Sequence, residues 1–237
     1  MPGNVHEATV ARIAPLADGV IEYQLRADEP LAFRPGQFIS LSVGRDADDN
    51  PILRSYSLAS PPGRADISII IKVVPGGLAS EWFARLVEGE RVRFTGPMGF
   101  FVLDFAHAGD VVFGVTGVGI TPVLAMLDEL LQRNENGRVI LFWGNRHEAD
   151  LFWRAELDER QRAHPRLEVR RYLTGAAPAW TGARGRITPA IVDELPKLTR
   201  PTFYLVGNGA MIRDVKKELL ARGVDRKRQI RNEAFFD

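Results

Sequence analysis

The sequence predicts two consecutive domains, an antiparallel β-barrel followed by a parallel, doubly wound α/β domain. The chain has 237 residues, which is enough for two domains of ordinary size. Up to about residue 104, short apolar runs are separated by Gly- and Pro-rich turns, as in an antiparallel β-domain. Beyond that residue, apolar runs alternate with segments of helical periodicity, as in a doubly wound sheet. We therefore expect one domain at residues 1–104 and another at residues 105–237.

The first domain contains six candidate strands, which together predict a six-stranded antiparallel barrel. The strands are expected at residues 9–13, 20–25, 37–43, 54–59, 67–74 and 91–95. Turn-forming pairs such as Asn50-Pro51 and Gly96-Pro97 separate them. A short helix is expected to begin at Ser80, because serine is a good N-cap and apolar residues follow at helical spacing.

The second domain alternates five candidate strands with four candidate helices. The strands are expected at residues 111–115, 139–143, 167–173, 202–206 and 229–235. The helices are expected at residues 122–133, 150–162, 189–194 and 210–222, the first with Thr121 as N-cap and Pro122 at its first position. This alternation predicts a five-stranded parallel sheet covered by helices.

The composition excludes several classes of protein. With 45% hydrophobic and 26% charged residues, the chain is expected to fold as a globular protein. Its 31 basic and 30 acidic residues nearly cancel, so no nucleic-acid partner is expected. It contains no cysteine, which excludes disulfides and iron–sulfur clusters held by this chain, and no metal site is predicted. Because a secretory signal and long apolar stretches are lacking, we expect a cytoplasmic protein without a membrane span.

A candidate phosphate site follows the first strand of the second domain, where the segment GVGITP (117–122) leads into a helix. Glycines allow a backbone to approach a pyrophosphate closely, and the amides at the start of a helix attract an anion. The same segment is equally compatible with a simple tight turn. No acidic residue ends the next strand to bind ribose hydroxyls, whereas Arg146 beyond that strand could meet a 2′-phosphate.

A second candidate site is the strand segment RSYS (54–57). Arg54 and Tyr56 project to the same face of an extended strand, so a phosphate-binding guanidinium and a flat stacking surface lie about 6–7 Å apart. Ser57 adds a hydroxyl that can donate or accept a hydrogen bond. Taken alone, the segment is more simply explained as an ordinary edge strand with a surface arginine.

A third candidate site is the segment YLVGNGAM (204–211), in which a strand ends in a glycine-rich turn before a helix. Ligands of parallel α/β sheets bind beyond the carboxyl ends of the strands, where this turn lies. The alternative is a plain strand-to-helix turn.

Taken together, these motifs occur in the order found in the ferredoxin–NADP reductase superfamily, which the sequence resembles from about His6 to its end. The segments GGLAS (76–80) and GPMG (96–99) are similar to the second flavin phosphate loop and to the turn that closes the barrel. The resemblance implies that FAD is bound by Arg54, Tyr56, Ser57, Leu58, Lys72, Gly77, Leu78, Ala79 and Ser80. It implies that NADP or NAD is bound by Thr116, Gly117, Gly119, Thr121, Pro122, Asn145, Arg146, Arg186, Gly207, Asn208 and Met211.

The resemblance also implies which residues lie beside the reacting rings: Tyr56, Ser57, Val206 and Phe235. Tyr56 would stack on the flavin ring and Ser57 would lie near flavin N5, while Phe235, or Ala234 beside it, would cover the ring's other face. Many relatives carry a cysteine at the position of Val206. Either a thiol is not needed here, or the rate and the cofactor geometry differ.

The resemblance implies hydride transfer between NAD(P)H and flavin N5, followed by single-electron transfer to or from a separate ferredoxin or flavodoxin. The alternatives are a free-flavin or ferric reductase, and an electron-transfer subunit of a multicomponent oxygenase. A monomer is expected. The eight basic and three acidic residues between positions 213 and 231 form either a docking surface for an acidic carrier or an ordinary solvated face.

The choice between NADP and NAD stays open. Arg146, Arg184 and Arg186 favour NADP, the last two in a segment resembling one that meets the adenosine phosphate in bacterial relatives. Gly175 speaks against NADP, because many relatives carry an arginine at that position.

Overall fold

The computed structural model describes residues 4–105, 109–133 and 137–236 of the chain. Its contacts divide the chain into two compact units, which are described separately below. The first unit comprises Met1–Leu103 and Thr121–Leu130, and the second comprises Asp104–Ile120 and Leu131–Asp237. None of the helices in the described ranges combines the length and the apolar character needed to span a bilayer.

The first unit is built on one antiparallel sheet of six strands, as predicted. The strands are β1 (Val5–Ala17), β2 (Val20–Ala27), β3 (Phe38–Arg45), β4 (Pro51–Ser57), β5 (Asp66–Lys72) and β6 (Arg91–Met98). Their order in the sheet is β4-β3-β6-β1-β2-β5. The sheet closes on itself where Leu58, just after β4, forms a bridge with Ile69 of β5. The Ala59 N–H reinforces this closure by donating to the Ser68 carbonyl at 2.8 Å.

The core of the barrel is centred on Phe83 of helix α1 (Leu78–Arg85). Phe83 is buried against Tyr23, whose hydroxyl donates to the Phe83 carbonyl at 2.9 Å and whose ring centroid lies 4.7 Å away. Alternate residues of the strands supply the rest of this core, because successive side chains of a strand point to opposite faces. The burial of Phe83 thereby fixes the position of α1 on the barrel.

Ser80 is not the N-cap of α1, contrary to the prediction. The helix begins at Leu78 with Gly77 as its N-cap residue. Ser80 lies within the first turn, and its hydroxyl accepts a hydrogen bond from the Val74 N–H at 2.8 Å. The serine thus stabilises the turn that precedes the helix instead of capping the helix itself.

The second unit is built on a parallel sheet of six strands, one more than predicted. The strands are β7 (Val111–Thr116), β8 (Val139–Asn145), β9 (Leu167–Leu173), β10 (Ala183–Arg184), β11 (Thr202–Asn208) and β12 (Ile230–Phe236), in the order β10-β9-β8-β7-β11-β12. The additional strand, β10, has two residues, both exposed. It leaves no hydrophobic pattern in the sequence, which explains why it was not predicted.

In the described residues after the barrel, the helices are α2 (Ile120–Leu131), α3 (Arg154–Ala163), α4 (Ile187–Glu194), α5 (Gly209–Ala221) and α6 (Arg226–Gln229). The predicted start of the helix at residues 150–162 is too early, because Glu148–Asp150 forms a separate 3₁₀ turn before α3 begins at Arg154. Thr121 is not an N-cap either. Thr116 is the residue before a 3₁₀ turn at Gly117–Gly119, and α2 has already begun at Ile120.

A charged network stabilises the second unit beside α4. The Glu194 side chain is only 2% exposed, and its carboxylate contacts Arg170 at 2.8 Å, Arg138 at 3.0 Å and Lys197 at 3.3 Å. Glu168 bridges the same two arginines at 2.6 and 3.3 Å. The hydrogen bond from Arg170 is the main reason that the pKa of Glu194 falls to about 2, despite burial, which acts in the opposite direction.

Candidate functional site

The glycine turn before α1 presents backbone amides to solvent in the first unit. Gly76 has φ +69°, and a Cβ there would meet nothing within 4 Å. The Gly77 N–H donates to the Val74 carbonyl at 2.9 Å, and Ser80 holds the same turn through its hydroxyl. The first amides of a helix have no intrahelical acceptor, so those of Leu78, Ala79 and Ser80 are available to an anion. This turn therefore fits a phosphate group.

Arg54 and Tyr56 lie close together on β4, as the strand periodicity predicts. Arg54 is exposed, and within the described residues its guanidinium donates to the neighbouring Leu53 carbonyl at 2.9 Å. Tyr56 is half-buried, with its ring edge-on to Phe83 at a centroid distance of 5.0 Å. Burial raises the pKa of Tyr56 to about 12, while the charge of Arg54 acts in the opposite direction. The phenol is therefore neutral at physiological pH, next to a cation.

The remaining predicted flavin residues of the barrel differ in their exposure. Ser57 is buried and pairs with Phe38 across the β3–β4 ladder. Leu58 is fully buried and forms the bridge that closes the sheet. Lys72 is exposed at the end of β5, where its Nζ donates to the Asp18 carbonyl at 2.9 Å. Leu58 thus has a structural role, which leaves its backbone rather than its side chain to meet a ligand.

The two glycine loops predicted in the second unit meet at the carboxyl ends of β7 and β11. The Thr116 hydroxyl accepts a hydrogen bond from the Asn208 N–H at 2.8 Å. Gly207 has φ +118°, and a Cβ there would lie 2.6 Å from the Thr116 carbonyl oxygen. A Cβ on Gly119 would lie 2.8 Å from the Val206 carbonyl oxygen. Only glycine fits at either position, so the close approach of the two loops depends on both glycines.

Gly117 is the most open point of this edge. It has φ +54°, and a Cβ there would meet nothing within 4 Å. Its carbonyl accepts a hydrogen bond at 3.0 Å from Nε1 of Trp143, a fully buried residue of β8. Asn208 caps α5 by accepting from the Met211 N–H at 3.0 Å. The sequence analysis missed Trp143, whose only signal is a polar ring nitrogen in an otherwise apolar strand.

Val206 and Phe235, which the resemblance assigns to the reacting rings, lie on the neighbouring strands β11 and β12. Val206 is fully buried and pairs with Val115 on one side and with Glu233 on the other. Phe235 is half-buried, at a point where the pairing of β12 with β11 shifts by one residue. This shift lies beside Gly207 and Asn208, so the chain end runs along the same edge as the glycine loops. Residue 237, the last of the predicted covering segment, lies outside the described residues.

Asn145 carries a buried donor without an acceptor at the end of β8. The residue is 8% exposed, and its Nδ2 has no hydrogen-bond partner among the residues that the structure describes. Leaving such a donor unpaired costs about 1–3 kcal/mol, which a ligand at this edge could recover. Arg146 follows on the surface, and its carbonyl accepts from the Gly175 N–H at 2.7 Å. Little room remains for a side chain at position 175, because a Cβ on Gly175 would lie 2.8 Å from Cε1 of His147.

Arg184 and Arg186 are only two positions apart, but their environments differ. The Arg184 guanidinium donates to four backbone carbonyls of the preceding loop, those of Ala176, Ala177, Pro178 and Trp180. The Arg186 side chain is 77% exposed, and its nearest carboxylate, on Asp214, is 3.9 Å away. Arg184 is therefore committed to holding the loop, whereas Arg186 is accessible to a ligand.

The residues of both units fit the groups that the sequence predicts. In the first unit, the Gly76 turn and the exposed Arg54 can bind a diphosphate beside the neutral ring of Tyr56. In the second unit, Gly117 leaves open space beside backbone amides, and Asn145 has an unpaired donor. No cluster of metal-ligating side chains occurs among the described residues.

Comparison with known proteins gives matches over nearly the whole chain. A sequence profile of the oxidoreductase FAD-binding domain matches residues 9–103, and one of the oxidoreductase NAD-binding domain matches residues 115–217. Ferredoxin–NADP reductase B of Sorangium cellulosum is 30% identical over 226 residues, which cover 92% of this chain and 91% of that protein. A glycine betaine monooxygenase reductase subunit of Pseudomonas aeruginosa is 32% identical over 217 residues, covering 88% of this chain and 58% of that protein.

Solved structures give the same result for the fold. A cytochrome P450 reductase from Amycolatopsis superposes with a TM-score of 0.87 at 29% identity, covering 99% of this chain and 70% of that one. The chain thus spans nine-tenths of one relative and about three-fifths to two-thirds of several others. Each of these proteins is named a reductase, or a reductase component or subunit.

Proposed function

Because the chain belongs to the ferredoxin–NADP reductase family, we propose that it is an FAD-dependent oxidoreductase that oxidises NADPH or NADH. Residues 1–104 would bind FAD, and residues 105–237 would bind the nicotinamide coenzyme. The observation that carries this proposal is the contact between the Gly117 and Gly207 loops through Thr116 and Asn208. It joins two glycine-rich strand ends at one edge of a parallel sheet, which is the usual position of a dinucleotide site.

We propose that the barrel binds and orients the flavin. FAD, when bound, supplies an acceptor for hydride from the nicotinamide and releases electrons one at a time. Arg54 and the amides of Leu78, Ala79 and Ser80, which follow Gly77, would bind the diphosphate, and Tyr56 would stack on the ring as a neutral phenol. Ser57, Leu58 and Lys72 would contact the flavin from the ends of β4 and β5.

We propose that the second unit binds the coenzyme and holds its nicotinamide in position. The amides of Gly117–Gly119 and of the adjoining Ile120 would bind the pyrophosphate. Asn208 and Met211 at the start of α5, together with Val206 and Phe235, would border the nicotinamide. Proximity and orientation supply the catalysis, and no side-chain acid or base is required for hydride transfer.

We propose that the electrons pass to a separate carrier, a ferredoxin or a flavodoxin, and that the protein is a cytoplasmic monomer. Several relatives are named as reductase components of multicomponent systems, which supports an acceptor on another chain. The amide turn at Gly76–Ser80 supports retained FAD over a freely exchanging flavin substrate, because a diphosphate site is not needed to recognise riboflavin.

The spectrum and turnover of the purified protein test this function. We expect a yellow protein with the absorbance bands of FAD that reduces ferricyanide when NADPH or NADH is added. A colourless protein that reduces added free flavin would instead establish the free-flavin reductase alternative. A flavin-containing protein that shows no turnover until a partner chain is added would establish the electron-transfer subunit.

For the coenzyme, we propose a preference for NADPH through Arg146 and Arg186, which are both exposed near the ends of the strands. Replacing each with alanine is expected to raise the KM for NADPH about tenfold and to leave that for NADH unchanged, because only NADPH carries a 2′-phosphate. Equal rates with NADPH and NADH in the wild type would contradict this preference.

A further inference from the structure

The Trp143 side chain of β8 reaches the Gly117 loop from the interior of the second unit. Trp143 is fully buried, and it pairs across the ladder with Val115 of β7, two positions before Gly117. Its Nε1–H, the only polar group of the side chain, donates to the Gly117 carbonyl at 3.0 Å. A purely apolar side chain could fill the core at this position. What tryptophan adds is a hydrogen bond from the core to the loop, because a buried indole N–H needs an acceptor.

The ring of Trp143 is packed from the side, so the direction of its N–H is fixed. Phe152 lies edge-on to it, with the ring centroids 5.6 Å apart and the ring planes at 88°. This edge-to-face arrangement is a favourable one for two aromatic rings. The bond to Gly117 is therefore made by a rigid donor, and not by a side chain that could follow the loop as it moves.

Gly117 needs such a restraint, because it has no side chain to limit its backbone. Its φ is +54°, and a Cβ there would meet nothing within 4 Å, so packing does not hold this conformation. The Gly117 carbonyl accepts two hydrogen bonds, one from Trp143 and one from the Ile120 N–H at the start of α2. Both lone pairs of the oxygen are thereby used, which fixes the orientation of the peptide that joins Gly117 to Val118.

The orientation of this peptide determines which groups the loop presents to a ligand. In a trans peptide, such as the one between Gly117 and Val118, the carbonyl and the N–H point in opposite directions. Because the Gly117 carbonyl points to the buried ring of Trp143, the Val118 N–H is directed away from it. A rotated peptide would direct the carbonyl oxygen to that side instead, and its partial negative charge would repel a phosphate.

We propose that Trp143 is a positioning residue for the coenzyme, whose N–H holds the Gly117 loop in the conformation that binds the pyrophosphate. This inference rests on the proposed function. Without the bond, Gly117 would populate other conformations, and the affinity would fall with the fraction of molecules in the competent one. The loss should be shared by every ligand that carries the pyrophosphate, whatever its 2′ group and whether or not it has a nicotinamide.

The test removes the N–H of Trp143 and keeps the ring. In the FAD-containing protein, Trp143 is replaced with 3-benzothienylalanine, in which a sulfur atom takes the place of the indole N–H with little change in shape. We expect the Kd values for NADP⁺, NAD⁺ and ADP to rise by a common factor of about 2- to 10-fold, the value of a neutral hydrogen bond. The kcat with saturating coenzyme and ferricyanide should stay at the wild-type value, because the bond acts on binding and not on hydride transfer.

The matched control is the same replacement at Trp180. This side chain is also buried, and it also donates its Nε1–H to a backbone carbonyl, that of Ala183 at 3.1 Å. Ala183 lies on β10, which is separated by β9 and β8 from β7, the strand that leads into Gly117. At the usual spacing of strands, β10 and β7 are roughly 14 Å apart. The control should therefore keep the wild-type Kd for ADP and for NAD⁺.

Unchanged Kd values in the Trp143 variant would overturn the proposal. So would a Trp180 control that weakens ADP binding as much, or a fall in kcat as large as the loss of affinity, since either result would indicate a general effect on packing. A wild-type protein that retains FAD but binds neither NADP⁺ nor NAD⁺ would refute the proposed function itself, before any variant is compared.

Discussion

Replacing Thr116 with valine tests whether the two glycine loops of the second unit must be joined for the coenzyme to bind. The Thr116 hydroxyl accepts from the Asn208 N–H at 2.8 Å, and this bond links the end of β7 to the start of α5. Valine has nearly the same shape as threonine but cannot accept a hydrogen bond. The substitution therefore removes the link without opening a cavity.

The magnitude follows from the kind of hydrogen bond that is lost. A neutral hydrogen bond contributes about 0.5–1.5 kcal/mol net, and Asn208 is exposed, so water can replace part of the loss. If the loops must be joined in the bound state, that free energy is taken from the affinity for coenzyme. Because about 1.4 kcal/mol corresponds to a tenfold change, the Kd is expected to rise between about 2- and 13-fold.

The assay is an equilibrium titration of the FAD-containing protein with NADP⁺ and with NAD⁺. Thr116→Ser is the matched control, since it keeps the hydroxyl and loses only a methyl group, and we expect its Kd to stay close to that of the wild type. A valine variant that binds both coenzymes as tightly as the serine variant does would refute the reasoning that the two loops act as one site.

Three further predictions concern other parts of the molecule. Gly207→Ala should abolish coenzyme binding, because φ is +118° and the new Cβ would lie 2.6 Å from the Thr116 carbonyl oxygen; calorimetry measures this. Glu194→Gln should destabilise the protein by on the order of 3 kcal/mol at neutral pH. In the wild type, this contribution is complete above pH 4.5 and is lost as the pH falls towards the folded pKa of about 2, as urea unfolding against pH would show. Tyr56→Ala should weaken FAD retention at least tenfold, whereas Tyr56→Phe, which keeps the edge contact with Phe83, should retain FAD.

Each of these predictions has an outcome that contradicts it. Unchanged coenzyme affinity in Gly207→Ala would mean that the loop moves freely to accept a side chain. Equal stability of wild type and Glu194→Gln at pH 7, with equal dependence on pH, would show that the carboxylate is not the centre of its network. Similar FAD loss in the alanine and phenylalanine variants at position 56 would assign the role of Tyr56 to its hydroxyl.

The order of the elements could be predicted from the sequence because apolar periodicity follows burial directly. The six strands of the barrel and five of the six parallel strands coincide with periodic apolar runs. Strand β10 escaped prediction since its two exposed residues are held by backbone pairing with β9 rather than by burial. The predicted N-caps Ser80 and Thr121 were wrong, because a hydroxyl near the start of a helix has several possible hydrogen-bond partners. Ser80 binds Val74 within a turn, and only the folded chain reveals that choice.

The candidate site was predictable where glycine is required, and less so where a side chain has competing uses. Gly117, Gly119 and Gly207 stand out in the sequence, and their φ angles or close neighbours explain why. Trp143 contacts the Gly117 loop from a different strand, so no local pattern reveals it. The roles of Arg184 and Arg186 look interchangeable in the sequence. In the structure their roles differ, because the Arg184 guanidinium donates to four backbone carbonyls of the preceding loop.

The different roles of Arg184 and Arg186 affect how the preference for NADPH or NADH can change, in nature or by design. The Arg184 guanidinium donates to four carbonyls of the loop at residues 176–180, in addition to the backbone bond from the Trp180 N–H to the Ala177 carbonyl. Replacing Arg184 is therefore expected to disturb the loop itself, whatever its effect on the choice of coenzyme. Arg186, two positions further along the chain, has an exposed side chain that does not hold this loop. Its replacement is therefore expected to have little effect on the fold. Adaptation to a new reductant is therefore expected to begin at Arg186 and to leave Arg184 untouched.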